Sequence, residues 1–123
     1  MRLRPDYAEA HNNLGILNDR DGDRPAAIAG YRRAIALRPS YAEAHVNLAL
    51  ALVAVNRPAD AKAEAERAVA LQPSMAQAHV SLGLALSRLG ERGAAVRAFE
   101  RALALDPHLR GVPALLAQAG NAR

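Results

Sequence analysis

The 123 residues contain no cysteine and no tryptophan, and three tyrosines and one phenylalanine are the whole aromatic complement. Without thiols the chain cannot hold a disulfide scaffold, a cysteine nucleophile or a thiolate metal site, although the absence says little about compartment. With so few aromatics, one bulky core is not expected. Long apolar runs are missing too. The longest, Leu48 to Val55, is eight residues, against the roughly 20 that a membrane-spanning helix needs. The opening Met1-Arg2-Leu3-Arg4-Pro5-Asp6-Tyr7 lacks the apolar stretch of a secretory leader. A cytoplasmic protein with no membrane contact is therefore expected.

The hydrophobic 51% is mostly alanine and leucine. Alanine has the best helix propensity and lets helices approach closely, so many small helix–helix contacts are predicted in place of one large core. The length suits one domain spanning residues 1–123. The net charge is +4, and fifteen of the sixteen basic residues are arginine. That raises nucleic-acid binding as a weaker alternative function. The arginines are scattered and lack aromatic stacking platforms, so the plainer reading is a solvated basic surface.

One phrase recurs. Ala-Glu-Ala-His stands at 8–11 and at 42–45, and Ala-Gln-Ala-His at 76–79. Pro5, Pro39, Pro73 and Pro107 are each 34 residues apart. The columns between them agree: His11/His45/His79, Leu14/Leu48/Leu82, Ala27/Ala61/Ala95, Ala34/Ala68/Ala102 and Leu37/Leu71/Leu105. A fixed period of this length signals a repeat array in which each unit buries an apolar face against the next. Each unit reads as two helices. The first, near 8–20 in unit one, is predicted to begin at a capping box, Asp6-x-x-Glu9, Ser40-x-x-Glu43 or Ser74-x-x-Gln77. It is predicted to end at Gly22, Asn56 or Gly90, types that tolerate a left-handed backbone. Pro25 and Pro58 fall in the first turn of the second helix, where a missing N–H does no harm.

With Asn13-Leu14-Gly15, Asn47-Leu48-Ala49 and Ser81-Leu82-Gly83 added to these columns, the chain resembles the tetratricopeptide repeat (TPR) family over about residues 5–107. The resemblance implies an all-α, right-handed α-solenoid of three 34-residue helix-turn-helix repeats, at about 8–41, 42–75 and 76–109. A short C-terminal capping helix follows within 110–123, with Ala114 to Ala119 stopped by Gly120. Two departures from the family pattern stand out. Histidine occupies a column that is usually a large aromatic. Asn18, Leu52 and Leu86 stand where a tyrosine is usual, and Asn18 suggests a looser first unit. Ala65 stands where Tyr31 and Phe99 do, so unit two is expected to be thinnest on that side. Leu3-Arg4-Pro5 matches Leu37-Arg38-Pro39, the tail of a second helix, which suggests a piece of a longer array whose leading face a preceding unit would cover.

Three histidines in register raise the question of a metal ladder. Equivalent residues on packed neighbouring helices lie about 8–10 Å apart, whereas nitrogens sharing one zinc each sit about 2 Å from it. The expected role is structural: each ring fills the slot between two helices, with one nitrogen meeting a carbonyl or water. No G-x-S-x-G, phosphate loop or convergent carboxylate pair appears, so neither catalysis nor a cofactor is expected.

The resemblance implies that the first helices line a concave groove where a protein or peptide ligand lies. The residues carried over are Asn12, Asn13, Ile16, Arg20, Val46, Asn47, Leu50, Val53, Val80, Ser81, Leu84 and Arg88. Asn13 and Asn47 are similar to the asparagine ladder of O-GlcNAc transferase repeats, broken at Ser81. The family's chaperone-tail clamp would place lysine at Asn12, asparagine at Ile16 and Asn47, and lysine and arginine at Gln77 and Ser81. Only Asn47 matches, which argues against an acidic chaperone tail. The first helix of unit two, His-Val-Asn-Leu-Ala-Leu-Ala-Leu-Val-Ala-Val, is apolar nearly all round, as a buried or interfacial helix is. With Leu48 and Leu52 assigned to the core, Val46, Leu50, Val53, Val80 and Leu84 are expected to form an apolar strip. The expected function is a protein-interaction scaffold or docking module. Self-association through exposed apolar faces is also open, with one copy's terminal helix filling another's strip. The alternative is a regulatory or targeting segment of a larger enzyme such as a glycosyltransferase.

Overall fold

The computed structural model describes residues 4–121, with side chains from Tyr7 to Gly120. Seven helices account for it: α1 (Arg4–Arg20), α2 (Arg24–Leu37), α3 (Ala42–Ala54), α4 (Pro58–Leu71), α5 (Ala76–Arg88), α6 (Arg92–Leu105) and α7 (Val112–Asn121). They pack as α1 with α2, α3 with α4 and α5 with α6. The pairs stack through α2–α3, α4–α5 and α3–α5, and α7 closes the array on α6. This is an all-α array of three helix pairs and a capping helix. Among the described residues no helix is long and apolar enough to cross a membrane.

The turns inside the pairs follow from single residues. Gly22, Asn56 and Gly90 take φ of 85°, 62° and 81°. The next residue then turns its N–H back: Asp23 to the Asn18 carbonyl and Arg57 to that of Leu52, both at 2.8 Å, and Glu91 to that of Leu86 at 2.9 Å. These six-to-one bonds satisfy carbonyls that the helix end leaves without partners. Pro25 and Pro58 sit in the first turns of α2 and α4, and the Asp23 carboxylate accepts from the Ala26 N–H at 3.2 Å.

The starts of the first helices differ from the capping-box expectation. Tyr41 and Met75, not Ser40 and Ser74, hold the N-cap positions, and neither makes a side-chain capping bond. The proline turns explain the shift. Tyr41 N–H bonds to the Arg38 carbonyl and Met75 N–H to that of Gln72, both at 3.0 Å, so serine is held inside the turn. At α1 the helix already begins at Arg4 and takes in Pro5 and Asp6. Among the described residues no second helix precedes it to tie down a proline turn. Leu3, the start of the proposed repeat tail, lies outside the described residues.

The core is built of small residues. Ala27, Ala61, Ala95, Ala34, Ala68 and Ala102 are fully buried. The larger rings fit because a glycine faces each. A Cβ on Gly15 would stand 2.7 Å from the Tyr31 ring, and one on Gly83 2.5 Å from the Phe99 ring. The corresponding residues of the middle pair are Ala49 and Ala65, both buried in one cluster. The thinness expected at Ala65 is thus partly offset by a methyl where the other pairs have none.

Candidate partner-binding face

His45 is buried, with Nδ1 2.8 Å from Glu64 Oε1 and Nε2 3.0 Å from the Pro39 carbonyl. A carboxylate and a carbonyl both accept, and only the protonated ring donates from both nitrogens, so the site favours the imidazolium form. Its pKa is accordingly raised, first by the bond to Glu64, with burial opposing and the Pro39 carbonyl adding to the rise. His79, also buried, places Nε2 2.8 Å from the Pro73 carbonyl. Each of these rings pins the preceding proline turn onto its own first helix. That accounts for the phrase in the second and third copies, whereas Pro5 lies within α1 and His11 is half-buried. Glu64 was not anticipated from the sequence, although it stands out in its own column, where Gly30 and Ala98 are its counterparts.

The residues carried over to the groove divide by burial. Asn12, Val46, Val53 and Ser81 are enclosed, Ser81 completely. Ile16, Asn47, Val80 and Leu84 are half-buried, and Asn13, Arg20, Leu50 and Arg88 are exposed. Val46 lies in one cluster with Ala68, Ala78, Val69 and Met75, and Val53 in the larger cluster that holds Ala49, Leu52 and Ala85. Helix α3 touches α2, α4 and α5, so most of its circumference is internal, and its all-round apolar sequence follows. The apolar residues of this set that keep exposure are Leu50, 36% exposed, and the half-buried Ile16, Val80 and Leu84, of which Ile16, Leu50 and Leu84 share one column at the repeat spacing.

Polar groups beside this row are tied across helices. Asn47 Nδ2 donates to Asn12 Oδ1 at 3.0 Å, and Asn12 Nδ2 donates to the Tyr41 hydroxyl at 3.3 Å. The structure therefore couples Asn47 to Asn12 of the first pair, while Asn13 faces outward. Tyr41, not foreseen as part of this face, closes the network. Its pKa is raised by burial first and then by Glu43 and Glu9, and the Arg38 guanidinium lies 4.7 Å from its ring centre. Arg88 reaches from α5 to the Val53 carbonyl at 3.5 Å, setting a cation against the C-terminal end of α3. At the end of α1, Tyr31 donates its hydroxyl to Asp19 at 2.6 Å, and Arg24 pairs with the same carboxylate at 3.2 Å. Burial, then Asp19, pushes the Tyr31 pKa above the usual tyrosine range.

The sequence pattern of the tetratricopeptide repeat family matches residues 46–110, and a second TPR repeat pattern matches residues 20–55. The chain belongs to the tetratricopeptide repeat family. No curated protein matches its sequence. Among solved structures it is similar to the first TPR of Spaghetti (RPAP3) bound to the HSP90 peptide SRMEEVD, with a TM-score of 0.89 and 24% identity over 94% of this chain and 91% of that one. It is also similar to the second TPR domain of human RPAP3 in complex with the HSP70 peptide SGPTIEEVD, with a TM-score of 0.88 and 25% identity over 95% and 98% of the two chains. A third likeness is to a mutant O-GlcNAc transferase of Thermobaculum terrenum, with a TM-score of 0.92 and 25% identity. There the match takes in 97% of this chain but 23% of the enzyme chain.

Proposed function

We propose that this chain is a protein-interaction module that takes an apolar-edged protein segment along its first-helix face. The observation that carries the reading is Leu50. It is 36% exposed between Leu48 and Leu52, each 1% exposed, and it lies in one row with Ile16 and Leu84. Covering a leucine side chain contributes about 1.5–3 kcal/mol when burial is complete, before the cost of association. Asn13 and the free half of the Asn47 amide supply donors and acceptors suited to a peptide backbone. Arg20 and Arg88 stand exposed at the helix ends. The ligand is thus an amphipathic helix or extended segment with an apolar ridge. An acidic chaperone tail, such as the peptides seen with RPAP3, fits less well. Asn12 and Ser81 stand where the clamp needs cations, and both are buried and hydrogen-bonded, Ser81 to the Ala78 carbonyl at 2.8 Å.

Selection of a displayed peptide library on the intact chain tests this. Selected peptides should share apolar residues at helical or alternate spacing. Leu50→Glu should weaken them more than tenfold, with melting close to wild type. The peptide SRMEEVD should bind poorly to both proteins. If Leu50→Glu unfolds the chain, or acidic tails win the selection, the reading fails. The likeness to part of an O-GlcNAc transferase supports a second reading, in which the array docks substrates or partners for a larger enzyme. A catalytic domain in the same reading frame would establish it.

A further inference from the structure

The first two helix pairs each have a cleft between their helices, and among the described residues that of the first pair has no helix over it. In the middle pair His45, Leu48 and Glu64 line a cleft of about 270 Å³, together with Arg32, Ile35 and Ala36 from α2 of the pair before. Leu48 is left 1% exposed. In the first pair the corresponding residues, His11, Leu14 and Gly30, line a cleft of about 260 Å³ with Arg33 beside them. No helix lies over it among the described residues, and Leu14 and Leu17 are each 53% exposed, against 1% for Leu48 and for Ala51 one unit on. The internal junction defines what this groove accepts. It is a second helix presenting a charged residue, then a branched apolar residue three positions later, then alanine.

The chain carries that pattern three times: Arg32-Ile35-Ala36, Glu66-Val69-Ala70 and Glu100-Leu103-Ala104. The third lies on α6, the helix against which α7 packs. Helix α7 makes that contact with the columns a first helix uses. Val112, Leu116 and Ala119 are 34 residues on from Ala78, Leu82 and Ala85. Val112 and Ala119 are each 2% exposed. Helix α1 carries the same columns as Ala10, Leu14 and Leu17, and all three are exposed.

We infer that the open groove of α1 and α2 is a docking site for α6 of a second copy of this chain, and that α7, which covers α6 within its own chain, competes with the groove for that face. Copies then stack head to tail as the internal pairs do. Charge favours this arrangement. In the middle pair Arg32 lies over a cleft that contains Glu64. In the stack Glu100 comes over a cleft that contains His11 and Arg33. Leu17 stands where Ala51 and Ala85 stand, so the junction closes less tightly than those within the chain and is reversible. The contact joins unlike surfaces, so it does not end at two copies.

Sedimentation of the full chain over a wide concentration range tests the inference. The average mass should rise past that of a dimer as concentration increases. Leu116→Asp, which loosens α7, should bring the rise at least tenfold lower in concentration, and Leu14→Glu should keep the chain monomeric in either background. The chain has no cysteine of its own, so disulfide trapping in the Leu116→Asp background, where α7 is loosened from Leu103, gives a second measurement. Leu14→Cys mixed with Leu103→Cys should cross-link under oxidation, as Leu48 and Ile35 share one cleft, while neither variant alone should. Wild-type and Leu116→Asp chains that stay monomeric throughout would overturn the inference. So would association that survives Leu14→Glu, or cross-linking of Leu14→Cys with itself. Leu14 and Leu103 lie outside the row of Ile16, Leu50 and Leu84, so loss of peptide binding and loss of stacking are separate results.

Discussion

His45 has an acceptor at each ring nitrogen, and this makes the middle pair responsive to pH. Its pKa is raised in the fold, chiefly by Glu64. The stability this contributes is fully present below the unfolded value, about 6.5, and is lost as pH rises through the folded value. The midpoint of urea unfolding should therefore fall between mildly acidic and mildly alkaline solution. In Glu64→Gln the amide N–H can donate to a neutral ring, so the midpoint should be lower in acid but nearly flat with pH through this group. A wild-type midpoint that rises over the same range would contradict the pairing. The packing of the histidine was legible from its place in the repeat. Its charge was not, because Glu64 lies nineteen residues away on the other helix of the pair, at a position where the other units have Gly30 and Ala98.

Between helices of a pair, volume is exchanged position by position. Gly15 faces Tyr31, and Gly83 faces Phe99. Gly83→Ala would drive a methyl into the Phe99 ring and should destabilise the fold by about 1–3 kcal/mol, as overpacking does, despite alanine's better helix propensity. Phe99→Leu should restore much of that loss when the two are combined. Denaturant midpoints of the single and double variants measure the coupling, and additive losses would mean that the ring simply moves aside. The turn residues Gly22, Asn56 and Gly90 were legible because few side chains tolerate positive φ. The capping boxes expected at Ser40 and Ser74 do not form, because the proline turn before each helix satisfies itself through backbone bonds that a sequence motif does not record.

Across the whole molecule, stability follows the number of neighbours each pair has. Helices α3 and α4 are packed between two pairs, whereas α1 and α2 touch one. Amides of residues 7–25 should exchange with solvent faster than those of 42–105 in a dilute solution of the chain, since arrays open from their ends. Hydrogen exchange read by mass spectrometry gives the comparison. Equal protection throughout would mean that the leading face is covered, and protection of α1 that grows with concentration is what head-to-tail stacking requires.

The period, the helix pairs and the left-handed turns were determined by the sequence alone, whereas the terminal helix, expected over Ala114 to Ala119 and stopped by Gly120, runs from Val112 through Gly120 to Asn121. All three rest on local chemistry repeated at one spacing, so each unit corroborates the others. Which apolar residues face a partner was decided only by tertiary structure. Val46, Leu50 and Val53 are alike as side chains on one helix, yet Val46 and Val53 are enclosed and Leu50 is exposed. The difference lies in where α4 and α5 cross α3, and burial of this kind depends on neighbours many residues distant in the chain. The same holds for Asn12, whose amide is taken up by Tyr41 and Asn47 from the next pair. A sequence pattern names the face of a helix, and the stacking of helices then settles how much of that face remains open.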